Sequence, residues 1–159
     1  MTELTIRPAL RSDLPALGRL GASLMRLHHG FDADRFMAPP EDVEAGYAWF
    51  LGTQLAAEDA VVLVAARGEA VDGYVYAGLE PMSWKELREA AGFVHDVVVD
   101  EAARGGGVGE ALLTAAAAWL AERGAPRVLL VTAEQNVGAR RLFARVGYRV
   151  TMVEMTREL

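Results

Sequence analysis
The strongest chemical signal in the sequence is Arg104-Gly105-Gly106-Gly107-Val108-Gly109, four glycines and one arginine within six positions. Glycine has no Cβ, so the amide N–H groups of such a run can turn toward one point and approach a ligand closely. The residues before it, Val97, Val98 and Val99, are β-branched and read as a buried strand, and Asp100-Glu101-Ala102-Ala103 supplies a turn. The residues after it, from Glu110 through the alanines at 115–118, are strong helix formers. Strand, glycine loop and helix start thus follow in order, and the helix N-terminus adds partial positive charge to the loop amides. The arrangement suits a phosphate, and Arg104 reinforces it; a glycine turn that merely caps an ordinary helix is the plain alternative.

Spacing excludes two other phosphate loops. A nucleoside-triphosphate loop places Lys and then Ser or Thr after its last glycine, whereas Gly109 is followed by Glu110 and Ala111. A dinucleotide-binding turn needs a further glycine where Leu112 stands. His28, His29, Asp32 and Asp34 are of types that bind metals. Adjacent histidines at a helix end point in different directions, however, and no H-E-x-x-H or comparable spacing fixes a coordination sphere, so no metal site is expected. His95 and Asp96 immediately precede the valine strand, and period-two alternation puts His95 with Val97 and Val99 on one face, Asp96 with Val98 on the other.

Elements must position these residues. Leu4 and Ile6 alternate with polar neighbours, so a short first strand ends at Pro8. Ser12-Asp13 followed by Pro15 starts a helix in which Leu14, Leu17, Gly21, Leu24 and Leu27 or His28 share a face, running to about His29 before Gly30 stops it. Residues 30–40 form a loop and 41–57 a second helix, with Val43, Tyr47, Phe50, Leu51 and Gln54 or Leu55 close together. Phe31, Phe36 and Met37 of that loop, beside Tyr47 and Trp49, form either a pocket wall or a satellite apolar cluster. Residues 60–66 and 71–79 read as a hairpin turning at Arg67-Gly68-Glu69, 81–90 as a packed turn, and 92–99 as the strand that feeds the glycine loop.

Beyond the loop, a stripe of Val108, Leu112, Ala115 or Ala116 and Trp119 stops at Gly124-Ala125-Pro126. Residues 127–132 are the next strand, and strand, helix, strand implies a right-handed parallel crossover. Asn136 caps a last helix with Ala139, Leu142, Phe143 and Val146 on one face; Gly147 ends it, and 148–155 closes the sheet.

Two motifs now stand in order. Arg104, Gly107 and Gly109 fit R/Q-x-x-G-x-G/A, and Asn136, Ala139, Phe143, Gly147 and Tyr148 fit N-x-x-A-x-x-x-Y/F-x-x-x-G-F/Y. Together they resemble the signatures of the GNAT family of N-acetyltransferases, over roughly residues 93–148. The resemblance implies an α/β (α+β) fold in which a central mixed, mostly antiparallel sheet with a splayed parallel strand pair is flanked by about four helices. It implies transfer of the acetyl group of acetyl-CoA to a primary amine, with acetyl-CoA as co-substrate. Backbone groups of Val97, Val98 and Val99 would then hold the pantetheine arm and polarise the thioester. Amides of Arg104, Gly105, Gly106, Gly107, Val108, Gly109 and Glu110 would hold the pyrophosphate. Asn136 would touch the pantetheine, Phe143 would pack near the thioester, and strands ending at Val99 and Thr132 would part to admit the arm.

That reaction needs a neutral amine. An alkyl ammonium with pKa about 10.4 sits roughly 3 units above neutral pH, so freeing its lone pair costs on the order of 4 kcal/mol. Some relatives carry a catalytic histidine or acid at the position of His95, and an imidazole with an unperturbed pKa of about 6.5 suits the task. His95 is therefore the expected general base, with Asp96 beside it as either a catalytic neighbour or a structural hydrogen-bond or charge partner; a histidine bonded within the sheet is the alternative for His95. Many relatives have a tyrosine general acid where this chain has Phe143. Tyr47, Tyr74, Tyr76 or water would have to replace it, unless the thiol, of pKa about 8.5, leaves as the thiolate.

Composition bounds the rest. At 159 residues with 52% hydrophobic and 24% charged content, the chain is expected to form a single domain over 1–159. It has no cysteine, hence neither disulfides nor thiolate metal sites. No apolar run approaches the roughly 18 residues of a membrane span, and the N-terminal residues lack the apolar core of a signal peptide, so a cytoplasmic location without a membrane partner is expected. A net charge of −6 and a pI near 5.1 disfavour nucleic acid and favour cationic partners such as a small-molecule amine. A protein or peptide N-acetyltransferase and a non-catalytic acetyl-CoA-sensing module are the other functions compatible with the motifs. Many relatives are dimers, which makes a homodimer the expected assembly.

Overall fold
The computed structural model describes residues 2–159. A five-stranded sheet in sequential order, β1 (Thr5–Pro8), β2 (Ala60–Arg67), β3 (Ala70–Glu80), β4 (Ala91–Val99) and β5 (Val128–Leu130), is antiparallel except for the last pair. Helices α1 (Leu14–Phe31) and α2 (Val43–Gln54) cover one face; α3 (Val108–Glu122) and α4 (Val137–Arg145) pack on the other. This is the mixed, mostly antiparallel sheet that the two motifs implied.

Both sheet faces are dry. Val62, Val64, Tyr74 and Val98 point at Leu17, Leu20 and Leu51 of α1 and α2. Leu63, Ala65, Val75 and Ala77 point at Val108, Leu112, Leu113, Ala116 and Leu120 of α3 and at Phe143 of α4. Consecutive apolar residues such as 62–65 are buried on alternate sides, which is why the strand reads as a continuous apolar run. Between β1 and α1, the Arg7 guanidinium holds the Asp13 carboxylate at 2.8 and 3.1 Å, and the Leu10 amide donates to the same carboxylate at 2.7 Å. Asp13 is only 6% exposed, and the Arg7 hydrogen bonds hold its carboxyl below the ordinary aspartate value.

Helix boundaries shift slightly from the pattern-based expectation. Gly30 does not stop α1, which continues to Phe31; Asp32 ends it by turning extended (φ −158°), and its carboxylate accepts from the amides of Asp34 and Arg35. The second helix is shorter than 41–57 at both ends. Gly18 and Gly21 bring α1 flush against α2, since a methyl at either would run into the Glu44 carbonyl oxygen or the Tyr47 ring.

Three strand expectations fail, each for a physical reason. β5 covers only Val128–Leu130 rather than 127–132, because β4 pairs with it only through Gly92, Val94 and the residue between. The closing strand over 148–155 does not form. Val150, Met152, Val153 and Met155 are each at least 71% exposed with no facing layer, and the segment is held instead by Glu154 accepting from Arg35 at 2.6 and 2.7 Å. Finally, β4 does not alternate regularly. Tyr76 faces Asp96 while its neighbour Ala77 faces Val94, leaving His95 as a surplus residue in a β-bulge. Asp96 does share a face with Val98 as expected, but His95 does not join Val97 and Val99. Its ring stacks on Phe93 at 5.1 Å and lies 4.9 Å from that of Tyr76, on the α1 side.

Among the described residues, no helix is long and apolar enough to cross a membrane.

Candidate active site
Past Val94 the parallel strands part: β4 runs on to Val99 beside β3 alone, while β5 stops at Leu130. The opening is a cleft of about 300 Å³ that passes from one side of the sheet to the other. Leu130, Val131, Thr132, Asn136, Ala139 and Phe143 line it on the α4 side. Leu24, Met25, His28, Phe36, Met37 and Tyr47 line it on the α1 side, and Val94, His95, Asp96 and Val97 form the waist.

The bulge puts two ionisable side chains at that waist. His95 Nε2 lies 3.0 Å from Glu80 Oε1, with the imidazole 28% exposed. Since a carboxylate only accepts, Nε2 carries the proton and the neutral ring keeps Nδ1 as an acceptor. Asp96 is partly buried and accepts a hydrogen bond from the Tyr74 hydroxyl at 3.0 Å. Burial pushes its carboxyl above the ordinary aspartate value, against the opposing pull of the Tyr74 hydrogen bond and of His95 and His28.

At the C-terminal end of β4, Asp100 caps a short turn by accepting from the Ala102 amide at 3.1 Å, and the glycine loop follows. Gly105 and Gly107 adopt φ of +83° and +81°, left-handed values that favour glycine. A Cβ added at either meets nothing within 4 Å, so this main chain borders open space. Among the described residues, no backbone carbonyl accepts from the amides of Gly105, Gly106, Gly107 or Val108. Gly107 is also the N-cap of α3, so these unclaimed donors sit at the positive end of a helix of 15 residues.

Residues 23–148 match the Acetyltransferase (GNAT) family. The chain belongs to this family. Mycothiol acetyltransferase of Amycolatopsis mediterranei (strain U-32) is 34% identical over 110 residues, which make up 68% of this chain and 35% of that protein; the chain spans about a third of this relative's length. A tetramutant of the Bacillus halodurans protein BH1408 superposes with a TM-score of 0.85 at 22% identity, over 98% of this chain and 99% of that one. Aminoglycoside N-acetyltransferase AAC(6')-Iy, solved in complex with CoA, gives 0.78 at 16% identity over 100% and 96%. Likeness at such low identity concerns the fold.

The family is one of acetyltransferases, and the residues of this chain fit its co-substrate, acetyl-CoA. Unclaimed loop amides offer an anion site, the gap beside β4 leaves the backbone of 95–99 without a β5 partner, and Phe143 and Asn136 stand across the cleft. Asn136 also caps α4, accepting from the Ala139 amide at 3.2 Å, as its position predicted. Several of these residues also have packing or pairing duties. Gly109 is buried, and a Cβ there would meet Leu142 at 2.8 Å, so its missing side chain also lets α4 lie close on α3. Val108 and Val98 are core residues, and Val99 packs toward α3. Arg104 Nε reaches back to the Val99 carbonyl at 3.4 Å, and the exposed Glu110 carboxylate lies 3.9 Å from Arg145.

The α1 side of the cleft was only half anticipated. Phe36, Met37 and Tyr47 are there, but Trp49 is 72% exposed and Phe31 supports His28 from behind. Leu24, Met25 and His28 are the additions; Leu24 and His28 share the apolar stripe of α1, and that stripe was the available signal. The Nδ1 atoms of His28 and His29 bond the carbonyls of Leu24 and Phe36 at 2.8 and 3.0 Å. Among the described residues no group of three His, Asp or Glu gathers as a metal site.

Two outcomes follow from this geometry. Gly107→Val forces a β-branched residue to φ +81° and projects a side chain over the open amides; titration calorimetry should register at least a tenfold loss of acetyl-CoA affinity. Asp96→Asn keeps an acceptor for Tyr74 and removes a charge that burial disfavours. The folded protein holds this proton more tightly than the unfolded chain, so ionisation subtracts stability as pH rises through the raised folded value. The asparagine variant should melt about 2–4 °C higher than wild type at pH 8, the shift ~1 kcal/mol produces in a chain of this size. Below about pH 4, where aspartate is protonated in both states, scanning calorimetry should show the gain vanish.

Proposed function
We propose that the protein transfers the acetyl group of acetyl-CoA to the primary amine of a small molecule. One observation carries the reading: a single cleft joins the side bearing Asn136 and Phe143 to an aromatic-lined chamber on the α1 side, and His95 and Asp96 stand where the two meet. The acetyl thioester supplies the electrophile; the chain's own residues must deliver a neutral amine to it. Asp96 attracts the ammonium, and His95 Nδ1 takes one of its protons while Glu80 steadies the ring through Nε2. The nitrogen then bonds the acetyl carbon and loses its second proton to solvent as the C–S bond breaks, leaving the amide, and sulfur departs as thiolate.

No tyrosine general acid is required in this scheme. Tyr74 is buried and its hydroxyl is committed to Asp96, while that of Tyr76 is committed to Gln54 Oε1 at 3.2 Å. Tyr47 does line the cleft, but burial and the Asp96 charge push it up to about 12. Such a phenol does not readily protonate a thiolate whose own pKa is about 8.5, so the sulfur collects its proton from solvent. The amine-acetylating activity named for AAC(6')-Iy is consistent with a free amine as acceptor here.

We extend the reading to a homodimer. Among the described residues the outer edge of β5 has no strand partner, and Val131 just after it and Val150, Met152 and Met155 of the C-terminal segment are exposed; open edge and apolar surface are what a second copy can cover. Sedimentation equilibrium should give twice the chain mass; a monomer at tens of micromolar removes this part of the reading.

Acetyl-CoA incubated with a panel of amines and followed by free thiol is the test of the chemistry. Thiol should appear with at least one free amine, and His95→Ala should lower kcat about 10²- to 10³-fold with acetyl-CoA affinity unchanged. Coenzyme binding without thiol release from any amine or peptide would replace the enzyme with a sensor, and release from peptides alone would make it a protein acetyltransferase.

A further inference from the structure
We infer that the acceptor is a primary amine carried on an apolar body, and that His28 selects it by accepting one N–H of its ammonium group. The inference rests on the acyl-transfer reading above and concerns the α1 end of the same cleft. Its wall is made of Leu24, Met25, Phe36, Met37 and the Tyr47 ring, and no lysine, arginine, amide or hydroxyl other than that of Tyr47 joins them. A polyhydroxylated acceptor would leave several of its polar groups facing carbon here, each at a desolvation cost, whereas an alkyl or aryl body loses only water.

The wall is built rather than incidental. Phe36 is held by its amide donating to the Asp32 carbonyl at 3.0 Å, by its carbonyl accepting from His29 Nδ1, and by the Arg35 guanidinium 5.0 Å above its ring. Arg35 is in turn clamped by Glu154. Tyr47 lies flat on Gly21, where any side chain would displace it.

His28 is the polar exception on α1. Its Nδ1 lies 2.8 Å from the Leu24 carbonyl, which can only accept, so Nδ1 carries the proton and Nε2 is left as an acceptor. Edge contacts with Phe31 at 5.7 Å and Phe36 at 5.1 Å fix the ring. An ammonium group offers three donors and accepts nothing. The cleft meets it with three acceptors, His28 Nε2, His95 Nδ1 and the Asp96 carboxylate, and with hydrocarbon behind. One donor serves proton removal at His95; the other two orient the nitrogen.

Steady-state kinetics of the full chain with acetyl-CoA separates the possibilities. Hexylamine and 2-phenylethylamine should exceed glucosamine and a lysine-containing peptide in kcat/KM by at least tenfold, and each methylene added to a short alkylamine should raise kcat/KM about threefold until the chamber is filled. His28→Leu should raise KM for the apolar amine about tenfold with kcat and acetyl-CoA affinity little changed, and His28→Gln, which keeps an acceptor, should recover most of the loss. Unchanged acetyl-CoA affinity and melting temperature certify that the variants are folded. Faster turnover of glucosamine or the peptide than of the apolar amines overturns the proposed acceptor class and leaves acyl transfer standing, as does an unchanged KM in His28→Leu for the role of His28. Thiol release from no amine at all sinks the acyl-transfer reading itself.

Discussion
One surplus residue governs the geometry of this molecule. Opposite Tyr76 and Ala77, β4 carries Asp96 and Val94 with His95 inserted between them. A bulge bends its strand and sharpens the local twist. The bend falls immediately after Val94, the last residue of β4 that pairs with β5, so the place where the strands part is also the place where alternation breaks. The same insertion keeps Val94, Val97 and Val99 together against the α3 core while both His95 and Asp96 look the other way. In a regular strand that aligned Val94 with the α3 side, Asp96 would point there too, among Val75, Leu112 and Phe143. An unpaired carboxylate in such surroundings costs several kcal/mol, so the apolar pattern itself enforces the bulge.

The waist of the cleft shows the tension this creates. Asp96 is close enough to Tyr74, Tyr47, His95 and His28 for their electrostatics to couple, and burial disfavours its charge even with a hydroxyl donating to it. A fold optimised for stability would place an amide or a hydrocarbon there. The proposed reaction has use for the opposite, a carboxylate whose missing solvation an incoming ammonium would restore. On that reading, stability is given up where charge has to be received, as is usual for functional sites.

What was legible in the sequence follows the range of the interactions involved. The glycine loop and the Asn136 cap were readable because their geometry is local: positive φ at Gly105 and Gly107 and a side-chain bond from residue 136 to 139 depend on a few consecutive residues. The apolar stripes of α1, α3 and α4 and the hairpin of β2 and β3 were readable for the same reason. The bulge was not read, although its trace is present in the three-residue step from Val94 to Val97, which no period of two can place on one face. The closing strand was expected over 148–155 as the element that completes the sheet, but local sequence says nothing about whether a facing layer exists to bury it. Gly109 reads as part of the anion loop, and the approach of Leu142 shows a second duty that no local pattern carries, since its missing side chain also lets α4 lie close on α3.

The two ends of the candidate site, the glycine loop after β4 and the α1 side of the cleft, differ in kind, and this explains why one was recognisable and the other was not. On the proposed reading, diphosphate would be met by main-chain amides, which every residue possesses, so the sequence requirement there reduces to backbone shape and is written as glycine spacing. The proposed acceptor would be met by side chains gathered from α1, the following loop, α2 and β4, with no spacing that links them. Residues 24, 28, 36, 47 and 96 become neighbours only because Gly18 and Gly21 let α2 lie close on α1 and because the bulge turns Asp96 toward them. A change in acceptor chemistry therefore needs only a few wall substitutions and leaves the loop untouched. The converse does not hold, since moving the loop would shift the end of β4 and with it the carboxylate and imidazole that both ends share.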